Sequence, residues 1–437
     1  MIGSMKRLWK DSRGNALAIA AAAMPLLLGA AGLAADTIQW TLWKRELQRA
    51  ADSAALAGVY DRVATGNTTN TSLVVDHDLT LNHHTGISLV ATYPQVSFPA
   101  DAGDMKDQVR VVLAINKPLP FSSMFMEAPT IIARSTAASV PGNDEYCVVA
   151  LEPKSNKTGI TIGGNSKIDM NCGFISNSPS ANKSAINNGN ASNVKASVFA
   201  SVGGLQYSTN WDIPKYDPYA TSVDDPYGDI NPRSSDVSGC AANPPAATEA
   251  TTVPAAAATL CYSGVNVGSG ATWDLGSNKT IVITGKNANT AGGITLHGTL
   301  KCDNCTIILT NKDLSDPNAK IGQFDMQAQS KLDISAPDAG YYKGIAVFQD
   351  RRATDQNNSN KFNGGGTQIV EGALYFPSQE IEYSGDGTAT AICTRFVGRR
   401  VTFTGDSATT NKFEKGSNCP FFTDDPIGGG RRVRLVA

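Results

Sequence analysis

The chain has 437 residues, of which 17% are charged, and its formal net charge is −2. This length is sufficient for two or three domains with cores of their own. The charge balance offers no basic excess to a phosphate backbone, which argues against nucleic acid as a partner. With 41 glycines and only 7% aromatic residues, the composition is typical of a mainly β chain with many tight turns.

The chain starts with a basic stretch followed by an apolar segment. Residues 16–35 carry no charge, and as a helix they would span roughly 30 Å, the hydrocarbon thickness of a bilayer. Positive charges that flank such a helix stay in the cytoplasm. Four of them precede it: Lys6, Arg7, Lys10 and Arg13. We therefore predict a cytoplasmic segment 1–15, a transmembrane helix 16–35 and a body outside the cytoplasm.

A cleaved signal peptide is the alternative, because Gly32-Leu33-Ala34 is similar to a small-residue cleavage site. The apolar core of a signal peptide is only about 7–15 residues long, however. The length of the segment therefore favours a retained anchor.

Residues 36–65 continue as a predicted helix with one stripe of apolar and small residues. Its members recur at spacings of three and four, which places them on one face. They are Trp40, Trp43, Leu47, Ala50, Ala54 and Ala57. Two interpretations fit this stripe: it packs on the next segment of the same chain, or it docks onto a partner helix.

The order of elements from Asp11 to Val59 resembles the N-terminal segment of TadG-like proteins of the Flp/Tad (tight-adherence) pilus-assembly family. The shared features are a basic stretch with Arg13-Gly14-Asn15, an alanine-rich span with a proline, an acidic residue just after it, and a helix ending in AADSAALAG. The resemblance implies a Flp/Tad secretion-pilus context.

In that context we expect a non-catalytic component that acts in assembly or as a minor pilin-like subunit. It would cross the inner membrane once, with its N-terminus in the cytoplasm and its body in the periplasm or at the cell surface. The expected partners are the inner membrane and pilus-assembly or pilin-like proteins.

Residues 66–141 resemble the small membrane-proximal α/β domain that follows the anchor in this family. Two segments, QVRVVLAINKPLPF and PTIIARSTAASV, show the alternation of strands. His77, His83 and His84 lie close to two aspartates, but they lack the helical i, i+4 spacing of a metal site. We interpret them as part of an exposed loop and predict no metal or cofactor.

From residue 142 onward, short strands alternate with Gly- and Asn-rich turns. Thr280–Ile283 and Cys305–Leu309 are examples of such strands. The units recur at roughly 20–25 residues, which favours a right-handed parallel β-helix; a β-sandwich is the alternative. The predicted parts are a first β-helical section (142–235), a Pro- and Ala-rich excursion loop (236–261), a second section (262–427) and a basic C-terminal tail (428–437).

The eight cysteines lie outside the membrane segment, and their even number favours disulfides in an exported domain. Spacing suggests four pairs: Cys147–Cys172, Cys240–Cys261, Cys302–Cys305 and Cys393–Cys419. The first pair is 25 positions apart, about one predicted coil, so its two residues would lie within disulfide range.

Two groups of charged residues are the candidates for catalysis. The first is Asp224, Asp225 and Asp229, and the second is Asp350, Arg351 and Arg352. We interpret both groups as turns or solvated loops, and we interpret His297 as an outward-facing strand residue. We therefore predict that the protein is not an enzyme. The alternative functions are a surface adhesin or glycan-binding β-helix protein, whose partner is a surface polysaccharide, and a polysaccharide-cleaving enzyme.

Overall fold

The computed structural model of the chain describes residues 12–81, 88–142, 144–191, 193–287, 289–355, 360–364, 368–385, 388–391, 393–405, 408–413, 419, 422 and 431–436. They divide into two compact units, Met1–Val140 with Arg432–Ala437, and Pro141–Arg431. The chain is mainly β, with one long N-terminal apolar helix and many parallel strand pairs. This overall class is the one the sequence predicts.

The described residues of the N-terminal unit form two helices and a 3₁₀ turn. Helix α1, Ser12–Thr65, is continuous through both the apolar segment and the predicted extension, with Pro25 inside it. Alanine, the best helix former, is abundant along it. The helix ends where Gly66 adopts a φ of 67° and donates its N–H to the Arg62 carbonyl at 2.8 Å. Helix α2 spans Thr71–Leu81, and the 3₁₀ turn spans Ser122–Met124.

An antiparallel sheet completes the N-terminal unit. Its strands are β1 (Gln95–Ser97), β2 (Lys106–Asn116), β3 (Thr130–Val140) and the C-terminal strand, Arg432–Leu435. The C-terminal strand pairs with β3, with Arg432 opposite Val140. A basic tail is predicted at 428–437; in the structure Arg432–Leu435 form a strand at the edge of this sheet.

The core of this unit lies between α1 and the sheet. Small side chains of α1, among them Ala50, Ala51, Ala54 and Ala55, are fully buried with Leu47 and Val59. They pack on strand residues of β2 and β3: Val109, Val111, Leu113, Ile115, Ile131, Ala133 and Ala137. Small residues on the helix face allow its backbone to approach the sheet closely.

Gly58 marks the closest approach in this core. A Cβ atom at this position would lie 2.9 Å from Val109 Cγ1 on β2 and 3.2 Å from Val75 Cγ2 on α2. The helix therefore has no room for a side chain where it passes between the sheet and α2. This contact explains the glycine that ends AADSAALAG.

The second unit, which we call the body, begins with nine short strands. They are β4 (Tyr146–Ala150), β5 (Ile160–Gly164), β6 (Lys167–Met170), β7 (Gly173–Ser176), β8 (Ala185–Gly189), β9 (Asn193–Lys195), β10 (Phe199–Ser201), β11 (Leu205–Gln206) and β12 (Tyr216–Pro218). After a short helix α3, Ser234–Val237, sixteen further strands follow in the part of the body that the structure describes.

The first eight of these are β13 (Ala246–Thr248), β14 (Thr259–Tyr262), β15 (Gly264–Val267), β16 (Thr272–Ser277), β17 (Thr280–Ile283), β18 (Ile294–Leu296), β19 (Thr299–Asp303) and β20 (Thr306–Leu309). The last eight are β21 (Phe324–Met326), β22 (Lys331–Ser335), β23 (Ile345–Gln349), β24 (Asn360–Gly364), β25 (Ile369–Gly385), β26 (Thr388–Ala391), β27 (Thr394–Thr404) and β28 (Ala408–Asn411).

Every pair formed by these body strands is parallel, and most join strands three apart in the chain. Ile281 of β17 pairs with Ile307 of β20, which pairs with Val347 of β23. In the same way Val148 of β4 pairs with Phe174 of β7, which pairs with Phe199 of β10. Equivalent apolar side chains therefore stack from one strand to the next.

The strand pairings show that β13–β28 precede β4–β12 along one ladder, and that both sections advance along it in the same direction. Strand β27 pairs with β25 on one side and with β4 and β5 on the other. The end of the body therefore lies beside its beginning, and the ladder continues from β4 to β7 and β10. Aromatic rings pack across this junction between β27 and β4. The ring centroid of Phe403 is 6.1 Å from that of Phe174, which is 5.3 Å from that of Phe199.

Residues 219–245 connect the two sections of the ladder, and we call them the crossing segment. The excursion loop predicted from the sequence is at 236–261 instead. The later part of that range contains β13 and β14, which pair in parallel with β15 and β17. Alanine and threonine form these short strands because neighbouring strands supply their hydrogen bonds, which local composition does not reveal.

Candidate functional site

The exposed apolar part of α1 is the first candidate site. Among the described residues, one helix is long and apolar enough to cross a membrane, judged by length and composition, and it lies near the N-terminus. Leu26, Leu27 and Leu28 on it are more than 60% exposed. Side chains of this kind need an apolar environment, so α1 is a candidate membrane anchor.

The six residues of the predicted stripe are divided between core and surface. Leu47, Ala50 and Ala54 are buried against the sheet of their own unit. Ala57 is half-buried, and Trp43 packs on the edge of the same core, where Lys117 Nζ lies 4.4 Å from its ring centroid. Trp40 is 41% exposed. Most of the stripe is therefore unavailable to a partner helix, and Trp40 is the member that faces outward.

Asp36 connects the end of the apolar segment to the turn between β2 and β3, residues 117–129. Its carboxylate accepts the backbone N–H groups of Phe121 at 2.8 Å and Ser122 at 2.6 Å, and it also accepts the Ser122 hydroxyl. Asp36 is only 3% exposed. The sequence marks this acidic residue by its position after the apolar span, but nothing local identifies its partners 85 positions away.

The structure places the eight cysteines in the four predicted pairs. The Cα–Cα distances are 5.7 Å for Cys147–Cys172, 5.3 Å for Cys240–Cys261, 5.8 Å for Cys302–Cys305 and 5.3 Å for Cys393–Cys419. No cysteine is free. The second pair joins the end of the crossing segment to β14.

The two groups of catalytic candidates meet in the body, where Asp225 pairs with Arg351. Arg351 Nη1 lies 2.6 Å from Asp225 Oδ2, and the Tyr375 hydroxyl donates to the same oxygen at 2.8 Å. Burial and the Asp225 carboxylate raise the pKa of Tyr375, which keeps the phenol protonated as a donor. These contacts attach the crossing segment to β25.

A second attachment follows at Asp236 in α3. The Tyr342 hydroxyl donates to Asp236 Oδ2 at 2.7 Å, and Arg233 Nη2 donates to Oδ1 at 2.9 Å. Burial and Asp236 raise the pKa of Tyr342. Sequence reasoning missed Asp236, since its partner Tyr342 is 106 positions away.

The other acidic candidates do not converge. Asp350 Oδ2 pairs with Arg352 at 2.7 Å and accepts the Thr310 hydroxyl at 2.7 Å. Asp224 and Asp229 are exposed, as is His297.

No metal cluster forms from three or more His, Cys, Asp or Glu side chains in the part of the chain that the structure describes. His77 lies exposed on α2, which corrects the loop expected there, while His83 and His84 fall outside the described residues.

One comparison with known proteins bears on this geometry. No curated protein and no solved structure is significantly similar to the chain. Residues 14–61 match the family model described as "Putative Flp pilus-assembly TadE/G-like". The matched range covers the apolar span, Asp36 and the helix face that packs on the sheet. Residues 14–61 are thus similar to the TadE/G-like Flp pilus-assembly family, which confirms the resemblance predicted from the sequence.

Proposed function

We propose that the protein is a membrane-anchored, non-catalytic component of a Flp/Tad pilus-assembly system, acting in assembly or as a minor pilin-like subunit. The observation that carries this proposal is the family match over residues 14–61 on one continuous helix. That helix combines an exposed apolar half with a half built into the unit's own core. The basic residues before it favour a cytoplasmic N-terminus and a body outside the cytoplasm.

For the body, we infer a right-handed parallel β-helix. The support is the repeated parallel pairing between strands three apart and the stacking of equivalent apolar residues. Sandwiches are built from antiparallel strands, so the pairing pattern disfavours that alternative. Right-handed connections between parallel strands are the general rule.

A non-catalytic role is supported by the partners of the acidic candidates. Asp225 and Asp350 each pair with an arginine and accept a hydroxyl, which are the contacts of structural carboxylates. An acid–base pair for polysaccharide cleavage would need two carboxyl groups facing one substrate bond.

Two measurements test this proposal: whether filaments require the protein, and in which cell fraction the protein is found. Cells that lack the gene should lose Flp-type filaments, and the wild-type gene should restore them. After shearing, recovery of the protein with the filaments would indicate a minor pilin-like subunit, whereas retention in the inner membrane would indicate an assembly component. Normal filaments in the deletion strain would contradict the proposal.

A second candidate function is glycan binding, favoured by an open groove of about 400 Å³ on the body. Thr295, Gln323, Asp325 and Gln379 contribute polar groups to its lining. Gln323 is half-buried, and it is held in place because its Nε2 donates to Gln379 Oε1 at 3.4 Å. Ordered amides of this kind can bind sugar hydroxyls.

Binding of the full-length protein in detergent to an array of bacterial and host glycans tests this second function. Gln323→Ala should reduce any binding, and Asp274→Ala, which lies outside the groove, should not. Absence of binding, or equal loss in both variants, would argue against a glycan site in this groove.

A further inference from the structure

We propose that the β2–β3 turn, residues 117–129, inserts into the surface of the lipid bilayer beside α1. The inference rests on the proposed membrane anchor and adds a second lipid contact to it. Three consecutive side chains of the turn would touch the lipid: Met124, Phe125 and Met126.

The turn contacts α1 at the end of the apolar segment. Phe121 lies directly on Gly32, where a Cβ atom would be 2.4 Å from the ring, and its backbone N–H binds Asp36. Gly32 belongs to the apolar segment 16–35, and Asp36 is the first charge after it. The turn is therefore at the height where α1 leaves the bilayer.

The turn exposes three large apolar side chains. Met124, Phe125 and Met126 are 75%, 76% and 66% exposed, although all three are large and apolar. The Phe125 ring centroid is 5.5 Å from that of Phe121, so this apolar group is next to the last turns of the membrane segment. At that height the molecule that covers them is lipid, because the bilayer surrounds α1.

The backbone N–H groups at the tip of the turn are also suited to lipid, whatever the polarity of the side chains. In lipid every N–H needs a partner within the protein. Pro118 and Pro120 have no N–H, and the Leu119 N–H donates to Ser123 Oγ at 2.6 Å. Each N–H from Phe121 to Met126 also has an acceptor: Asp36 for the first two, then the carbonyls of Leu119, Phe121 and Ser122.

The polar groups at the base of the turn suit the interface. Lys117 lies over the ring of Trp43. Trp43 is eleven residues after Gly32, which is roughly 16 Å along α1. Tryptophan and lysine are the residues that occupy the headgroup region. The turn therefore runs from an interfacial base to an apolar tip.

Fluorescence quenching by labelled lipid tests this insertion. All native cysteines are paired, so Met124→Cys or Met126→Cys supplies a single thiol for an environment-sensitive NBD label. The full-length protein is reconstituted in phosphatidylcholine–phosphatidylglycerol vesicles that contain doxyl-labelled phosphatidylcholine. Leu27→Cys on the apolar segment is the positive reference, and Leu73→Cys, 68% exposed on α2, is the matched negative control.

We expect labels at positions 124 and 126 to lose most of their fluorescence, as at position 27, while position 73 keeps its fluorescence. Quenching at 27 but not at 124 and 126 would overturn the insertion and leave the anchor intact. No quenching at position 27 would remove the anchor, and the insertion would fall with it. The two cysteine variants report separately, so misfolding of one still leaves a decisive measurement.

Discussion

The two units of the molecule reach stability in different ways. The N-terminal unit has an antiparallel sheet covered by one helix, and the first 146 residues contain no cysteine. The body has only parallel strand pairs among its described strands and holds all four disulfides. One unit depends on a single helix–sheet interface, whereas the other repeats similar contacts along a ladder.

This difference predicts different responses to damage. In the N-terminal unit, segments from residues 47 to 137 meet in one core, so one defect affects every element. In the body, each layer of the ladder mainly contacts the next, as in repeat proteins. Disulfides and the crossing segment then connect layers that the ladder alone would leave loosely coupled.

The largest effect is expected from Ala54→Asp. Ala54 is fully buried against the sheet, and an unpaired carboxylate there should cost about 4 kcal/mol of the free energy of unfolding. Limited proteolysis of the full chain should show early cleavage in the N-terminal unit and an unchanged pattern in the body.

The matched control is Arg49→Asp, which places the same carboxylate on the exposed face of α1 and should leave the proteolysis pattern unchanged. If Ala54→Asp also exposes the body to protease, the two units do not fold independently. Equal resistance of both variants would mean that this face of α1 is not part of the core.

A smaller effect is expected from removing one disulfide of the body. The Cys147–Cys172 bond closes a loop of 25 positions and the Cys302–Cys305 bond a loop of 3. From loop entropy, replacing both members by serine should cost about 3.5 kcal/mol for the first pair and about 1.6 kcal/mol for the second. Urea unfolding of the two double variants measures the difference, and equal losses would argue against the entropic account.

Sequence reasoning predicted the helix stripe well but could not say what covers it. The spacing of Leu47, Ala50 and Ala54 defines one face, and a helix partner or a sheet would both require small apolar residues there. The strands that cover it, around Val109 and Ile131, come more than fifty residues later. Their identity depends on long-range contacts that a local period does not contain.

The cysteine pairs were predictable because each joins nearby positions in the chain. The crossing segment was not, since it has no period of its own and its ion pair between Asp225 and Arg351 joins residues 126 positions apart. The C-terminal strand did leave a signal: Arg432, Val433, Arg434 and Leu435 alternate polar and apolar residues.

A moderate effect is expected from Asp36→Asn. The substitution keeps the shape of the side chain but removes the charge that accepts two backbone N–H groups and a hydroxyl. Hydrogen bonds to a charged group contribute about 1.5–3 kcal/mol, so we expect a loss of about 2 kcal/mol, confined to the N-terminal unit. Thermal unfolding in detergent, with Asp52→Asn of the same helix as the control, measures it; equal midpoints would show that the charge at position 36 is not needed.

The smallest effect is a pH dependence in the body that centres on Asp355. Burial alone would raise the pKa of Asp355, but the hydrogen bond from Arg400 and the charges of Arg400 and Arg399 outweigh it and hold the pKa below 3.8. The unfolded chain therefore binds this proton more readily than the folded one. The stabilisation is fully present above the ordinary carboxylate pKa and is lost as the pH falls through the lowered value.

Urea unfolding at a series of pH values from 6 downward, about the range in which carboxylates titrate, measures this loss. In Asp355→Asn the decline below the ordinary carboxylate pKa should be shallower, since Arg399 and Arg400 then face no titrating group at this position. Glu152 still pairs with both arginines in that variant, so the fold should persist. An unchanged slope would place the acid sensitivity of the body elsewhere, and the repeated ladder would then owe its pH dependence to other carboxylates.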